Sequence, residues 1–195
     1  SDLLKKEAFG SFYKQFTYHA DGKIKTFRNK NGHTFNYTYF PSTSIHAGML
    51  QADGYATYGY DSRHNPETIT ANANSKTITI RHDGFNRPDS VHYNDAANKT
   101  VRYRYNQNNL DSVIIYPNSL AVHYFYDALN RLDSVTDGSG YTFVNYDYLP
   151  DGRLSKERFG NGTQTIYHYE TGTGRLDSMA SLTGTNTVIA AYRFI

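Results

Sequence analysis

The chain has 195 residues, a net charge of +2 with both signs interspersed, and no cysteine. These values exclude a basic footprint for nucleic acid or anionic membranes, and they exclude disulfide staples and thiolate metal sites. Apolar residues are only 38% of the chain, but 19 Tyr and 11 Phe lift the aromatic share to 15%, so large rings must supply much of any buried surface.

At the start, residues 1–15 stand apart from the rest of the chain as an N-terminal arm or edge cap. The run Leu3-Leu4-Lys5-Lys6-Glu7-Ala8-Phe9 is short enough for one or two helical turns covering a sheet edge. No signal peptide is visible at Ser1, and no apolar run reaches the roughly 18 residues of a membrane helix. The expectation is that the protein is not an integral membrane protein; the missing cysteine leaves its compartment open.

From about residue 16 to the end, a repeat takes over, and residues 16–195 read as one β-domain of about nine units. Anchors recur at Tyr18, Tyr39, Tyr60, His82, Tyr105, Tyr126, Tyr146, Tyr169 and Tyr192, with gaps of 20 to 23 residues. A fixed period of that size marks one supersecondary unit copied along an axis. Before each anchor the side chains alternate: Val101, Tyr103 and Tyr105 oppose Arg102 and Arg104, and Val122, Tyr124 and Tyr126 oppose Ala121, His123 and Phe125. That is strand period, and we name this run the anchor strand.

A polar turn comes after each anchor, as in Asp61-Ser62-Arg63-His64-Asn65 and Asp127-Ala128-Leu129-Asn130, and then a short second run, the return strand. Asp61, Asp83, Asn106, Asp127 and Asp147 can each accept a hydrogen bond from the backbone two residues on and so fix the start of the hairpin. A second turn, such as Asn31-Gly32 or Asn161-Gly162, closes the unit. The expected fold class is therefore all-β: a long twisted antiparallel meander of roughly 16 to 18 short strands in consecutive hairpins. Residues 188–195 read as a last anchor strand, which either closes the array or marks a cut in a longer protein.

These motifs resemble the YD repeats of Rhs-type proteins, teneurins and insecticidal-toxin shells. Tyr124-Phe125-Tyr126-Asp127 with Arg131-Leu132 carries the resemblance, as do Tyr58-Gly59-Tyr60-Asp61, Gly152-Arg153-Leu154 and Gly174-Arg175-Leu176. The chain departs from the pattern at Asn130, where the family usually has Gly, at Arg87-Pro88 and Asn65-Pro66, and at His82 in place of Tyr. No segment resembles the aspartyl self-cleavage core that ends true Rhs shells. The resemblance implies a superhelical or shell-like sheet and an extracytoplasmic setting, at the cell surface, secreted or periplasmic, as in small YD-repeat proteins of bacterial cell envelopes.

No convergent catalytic set emerges, and the expectation is a protein that is not an enzyme and needs no cofactor or metal. The eight His residues form no His-x-x-x-His or His-Glu-x-x-His arrangement. The acids sit mainly at turns, and equivalents in adjacent repeats fall roughly 10 Å apart, too wide for a retaining glycosidase pair. Thr171-Gly172-Thr173-Gly174 joins two strands and has no helix behind it to bind phosphate.

The candidate site is an aromatic patch opposite the anchors: Phe125, Tyr141 and Phe143, with Arg102, Arg104 and His123 nearby, able to stack sugar rings. The leading expectation is a non-enzymatic scaffold whose curved sheet presents a surface for a glycan or a cell-surface protein. The alternative is a fragment of an Rhs-type containment shell around a toxin or effector.

Overall fold

The computed structural model describes residues 3–95 and 99–194. Nineteen strands and no helix are found among the described residues, so the all-β expectation holds. By packing, the chain divides into two units, residues 1–100 and 101–195.

In the first unit β1 (Lys6–Phe9), β2 (Phe12–Tyr18), β3 (Ile24–Arg28) and β4 (Thr34–Asn36) form a four-stranded sheet in chain order. A second sheet opens with β5 (Thr38–Tyr39), β6 (Leu50–Ala52), β7 (Ala56–Tyr60), β8 (Pro66–Ala71), β9 (Thr77–His82) and β10 (Pro88–Tyr93). The division between units falls within β11 (Lys99–Tyr105). The second unit contributes β12 (Asp111–Ile115), β13 (Ala121–Tyr126), β14 (Leu132–Asp137), β15 (Thr142–Tyr148), β16 (Leu154–Phe159), β17 (Gln164–Tyr169), β18 (Leu176–Leu182) and β19 (Val188–Arg193). The second sheet has fifteen strands in strict sequence order from β5 to β19. Anchor and return strands alternate from β5 to β19, while the run before Tyr39 is split between β4 of the first sheet and β5 of the second.

Residues 3–9 are not helical. Lys6–Phe9 forms β1, in register with β2 from Lys6↔Gln15 to Phe9↔Phe12, with Gly10 at φ 61° in the connecting turn. A helix this short has no stability of its own in water, whereas β2 offers a row of open backbone groups. Glu7 pairs with Lys14 at 3.3 Å, and the Lys30 ammonium lies 3.8 Å from the centre of the Phe9 ring. The last residue of the expected final strand, Ile195, lies outside the described residues.

The turns that open at Asp61, Asp83, Asn106 and Asp127 share one geometry. At Asp127, the backbone N–H donates to the Arg131 carbonyl at 2.9 Å, and the Asn130 N–H donates to the Asp127 carbonyl at 3.0 Å. The Asp127 carboxylate accepts the N–H groups of Leu129 and Arg131 at 2.8 and 3.0 Å. Asp61, Asp83 and Asn106 repeat this pattern two and four residues on. The fourth turn residue is left-handed: His64 at φ 69°, Asn86 at 63°, Asn109 at 63° and Asn130 at 61°, with Gly152 at 91° in a sister turn. This is a tight turn ending in a left-handed bulge residue. Asn tolerates that conformation better than other residues with a side chain, which explains how Asn130 stands where the repeat usually has Gly.

Register corrects two of the expected anchors. Tyr126 pairs with Leu132 and Tyr169 with Leu176, each after a register shift; in β15 the equivalent residue is Tyr148, which pairs with Leu154. Tyr146 instead faces Glu157 in mid-strand. Tyr146-Asp147 carries the letters of the motif, but the turn begins at Leu149, and Asp147 forms an ion pair with Arg158. Tyr192 likewise sits in mid-strand opposite Met179 and is 59% exposed.

The sheet is a single layer. Substantial strand contacts among the described residues are all between sequence neighbours. Among the described residues the buried ones are Ala56, Val122, Val144 and Thr165, and no large side chain is fully enclosed. Apolar sheet faces are ordinarily stabilised by a second layer; here the neighbouring repeat takes over that task.

Candidate interaction surface

Six anchor hydroxyls reach back to the backbone of the preceding unit. Tyr18 donates to the Leu4 carbonyl, Tyr39 to Ile24, Tyr60 to Leu50, Tyr126 to Asp111, Tyr148 to Leu132 and Tyr169 to Leu154, at 2.6 to 3.0 Å. Where the preceding unit carries Arg-Leu, the guanidinium covers the ring: Arg131 lies 4.3 Å from the Tyr148 centroid and Arg153 4.4 Å from that of Tyr169. Those guanidiniums are held in turn by Asp127 and Asp151. His82, the one His anchor, keeps the same neighbour, with Nδ1 3.9 Å from the Asp61 carboxylate. The Tyr, Asp, Arg and Leu of the motif thus form one clasp between successive hairpins, and their role is structural.

Turn tips add a second set of links. Asn65 donates to the Asn86 side chain at 3.0 Å, Asn108 to Asn130 at 2.6 Å and Gln164 to Asn186 at 2.7 Å. Each acceptor is one of the left-handed turn residues.

Each unit has a sheet face that carries rings and aliphatic side chains. In the first unit Phe16, Phe27 and Phe35 are paired across β2, β3 and β4, and their rings stack at 5.1 and 6.0 Å. Tyr55 continues the stack at 4.5 Å. Gly54 is required beneath it, since a Cβ there would lie 2.4 Å from the Phe35 ring. In the second unit one face of the fifteen-stranded sheet presents Val122, Tyr124, Val135, Val144, Tyr146 and Tyr167.

Two carboxylates are set among these rings. Tyr58 donates to Asp53 at 2.8 Å and Tyr167 to Glu157 at 2.7 Å. Burial first, and then the carboxylate that accepts the hydroxyl proton, pushes both phenols up to about 12. They are neutral hydrogen-bond donors at physiological pH, the reverse of an activated phenol.

The sequence-predicted patch lies on the opposite face. Arg104 pairs with Val113 and Val113 with His123, so Arg102, Arg104, His123 and Phe125 share one side. His123 and Phe125 stack with centroids 6.4 Å apart, and Phe125 is 48% exposed. Tyr141 and Phe143 meet edge-on at 5.6 Å, but as a separate pair: Tyr141 ends a turn and Phe143 occupies a register shift in β15. No ring contact links the two pairs among the described residues. The result is two small exposed aromatic pairs, not one continuous platform.

Sequence reasoning missed the segment between β5 and β6. A connection across residues 40–49 replaces the usual tight turn, and Phe40, His46, Tyr60 and His64 cluster there with ring centroids 5.4 to 6.0 Å apart. Its signal in the sequence is Phe40, which follows Tyr39 where most sister repeats carry Asp or Asn. Among the described residues no group of three or more His, Asp or Glu is placed to hold a metal ion.

A single-layer, sequentially ordered meander clasped by Tyr and Arg defines the class: the fold is Rhs-like. No protein-family model matches the chain, and no curated protein matches it. Among solved structures, TcdB2-TccC3-TEV superposes with a TM-score of 0.80 at 12% identity, over 98% of this chain and 11% of that one. TcdB2-TccC3 gives 0.79 at 12%, over 97% and 11%. The Tc holotoxin pore of Photorhabdus luminescens gives 0.80 at 13%, again over 97% and 11%. The chain spans about a tenth of the length of these structures' chains.

Proposed function

We propose that the chain is a stretch of containment-shell wall, with its ring face turned toward an enclosed polypeptide. The observation that carries this reading is the uncovered ring face of a one-layer sheet whose fold is that of the TcdB2-TccC3 chains. Half-buried Tyr, Val and Ile side chains on such a face suit contact with an unfolded or loosely folded chain, because rings bury area while their hydroxyls keep polar partners. An extracytoplasmic setting accords with the likeness to toxin-complex components.

The rival reading, a cell-envelope scaffold that stacks a glycan on Phe125, Tyr141 and Phe143 with Arg102, Arg104 and His123, draws less support, since the rings form two separate pairs. Purifying the protein from its native source and challenging it with protease tests the choice. A co-purifying polypeptide that resists digestion until the wall is denatured is expected. Binding on a glycan array that is lost with Phe125→Ala, with no held polypeptide, would overturn the shell reading.

A further inference from the structure

The net charge of +2 is unevenly spread along the chain. The stretch from Lys6 to Asn36, which forms the four-stranded sheet, holds six Lys and Arg against two acids, whereas residues 37–195 hold 13 against 15. Both acids of that stretch are already engaged, Glu7 by Lys14 and Asp21 by Lys23. Lys25 and Lys30 are exposed, and among the described residues neither pairs with a carboxylate.

These lysines border the phenyl strip. Phe16, Phe27 and Phe35 lie at one level across β2, β3 and β4, and the half-solvated ring of Tyr55 extends the row. Side chains two residues apart on a strand share a face, so Lys14 stands beside Phe16 and Lys25 beside Phe27. Because β2 and β3 run antiparallel, the two lysines fall on opposite sides of the strip, about 14 Å apart along the strands at the usual rise. Lys30 joins the Lys14 side: the Lys30 and Lys14 ammoniums lie 3.8 and 5.1 Å from the centre of the Phe9 ring. Neutral hydrogen-bonding groups gather on the other face, where Gln15 is opposite Arg28 and the Thr17 and Thr26 hydroxyls bond each other at 2.6 Å.

We propose that this ring face of the four-stranded sheet takes an extended acidic segment of a polypeptide, with the pattern acid-x-aromatic-x-acid. In an extended chain the first, third and fifth side chains point one way, and the first and fifth stand about 13 to 14 Å apart. Its two carboxylates meet Lys25 on one side of the strip and Lys14 or Lys30 on the other, while the middle ring lies on Phe16 and Phe27. Charge selects the segment and the phenyls hold its ring. A glycan would face phenyls where it needs hydrogen-bond partners, and a phosphate polymer would lay its charges on them. The inference deepens the shell reading, on which it rests, by giving the held polypeptide a definite chemistry.

Fluorescence anisotropy of the full 195-residue chain with a labelled peptide bearing Asp-Thr-Phe-Thr-Asp supplies the test. Binding is expected that weakens as salt rises. It should fall about tenfold for the amide peptide Asn-Thr-Phe-Thr-Asn and for Lys25→Glu, survive in Lys25→Arg, and stay unchanged in Gln15→Glu on the opposite face. If Lys25→Glu loses its β-sheet circular dichroism, Lys30→Glu makes the same measurement. Equal affinity for the acidic and amide peptides, binding that Lys25→Glu and Lys30→Glu leave unchanged, or attachment to phosphatidylserine vesicles without attachment to the peptide overturns the proposal. Peptide binding by a protein that purifies with no protected polypeptide would sustain the acidic-segment site and reject the shell reading. A protected polypeptide without such a segment, together with no peptide binding, would do the reverse.

Discussion

The Tyr148 hydroxyl donates to the Leu132 backbone carbonyl at 2.7 Å, and Arg131, the residue before Leu132, lies over the Tyr148 ring at 4.3 Å. Tyr148 is therefore held by two residues of the hairpin before it, as Tyr169 is by Arg153 and Leu154. Tyr148→Phe should lower stability by about 1 kcal/mol, the net worth of one hydrogen bond. Tyr148→Ala should cost about 2 to 3 kcal/mol, below a fully enclosed ring because this one is half-buried. Tyr146→Phe should cost under about 0.5 kcal/mol. Urea unfolding of the three variants checks the order, and equal losses at 146 and 148 would contradict the register.

Asn130 is a turn residue with a left-handed backbone, φ 61°, and its side-chain oxygen accepts from Asn108 at 2.6 Å. Asn130→Gly keeps the backbone conformation free of strain and should stay within about 0.5 kcal/mol of wild type. Asn130→Ala places a Cβ in that conformation without the side-chain amide and should cost about 1 to 2 kcal/mol. Thermal melts of the pair make the comparison.

Gly160 cannot accept a side chain, because a Cβ would fall 2.0 Å from the Thr142 carbonyl oxygen. Gly160→Ala should lower the melting temperature sharply, with a cost of about 3 kcal/mol or more, as for other severe steric insertions. Gly138→Ala meets only the Ala121 methyl at 3.5 Å and should be mild. Strand β15 should lose amide-exchange protection first in the Gly160 variant.

Acid and alkali should act at different places. Hydrogen bonds from Arg87 hold the Asp83 carboxyl below its ordinary value, and backbone N–H and Arg131 bonds do the same for Asp127. Groups depressed on folding contribute stability that is present above the ordinary carboxylate range and is lost as pH falls through the depressed values. Stability should therefore decline below about pH 4, and less steeply in Asp127→Asn. Tyr58 and Tyr167 are raised to about 12, so their contribution is complete below about pH 10 and is lost as pH climbs toward 12. Ultraviolet titration should show late-ionising phenols, fewer in Tyr167→Phe.

Much of the architecture could be read from residues alone. Alternation before each anchor located the strands because a half-exposed sheet keeps period two, and the acid or amide after most anchors located the turns because its side chain caps two backbone N–H groups. Reading failed where local chemistry misled: Tyr146-Asp147 matches the motif, but Asp147 is engaged by Arg158 across the strand pair. Residues 3–9 suit a helix by composition, yet the open edge of β2 decides their conformation. The candidate patch was half legible. Alternation put Arg102, Arg104, His123 and Phe125 on one side, while the register shift at Phe143 that separates the second ring pair leaves no mark in the sequence.

The acceptor in each of the six tyrosine clasps described is a main-chain oxygen, offered by Leu4, Ile24, Leu50, Asp111, Leu132 or Leu154 alike. Peptide carbonyls do not mutate. The clasp therefore asks nothing of the side chain that belongs to the accepting residue, and that position can change its letter while the hairpins still stack in the same way.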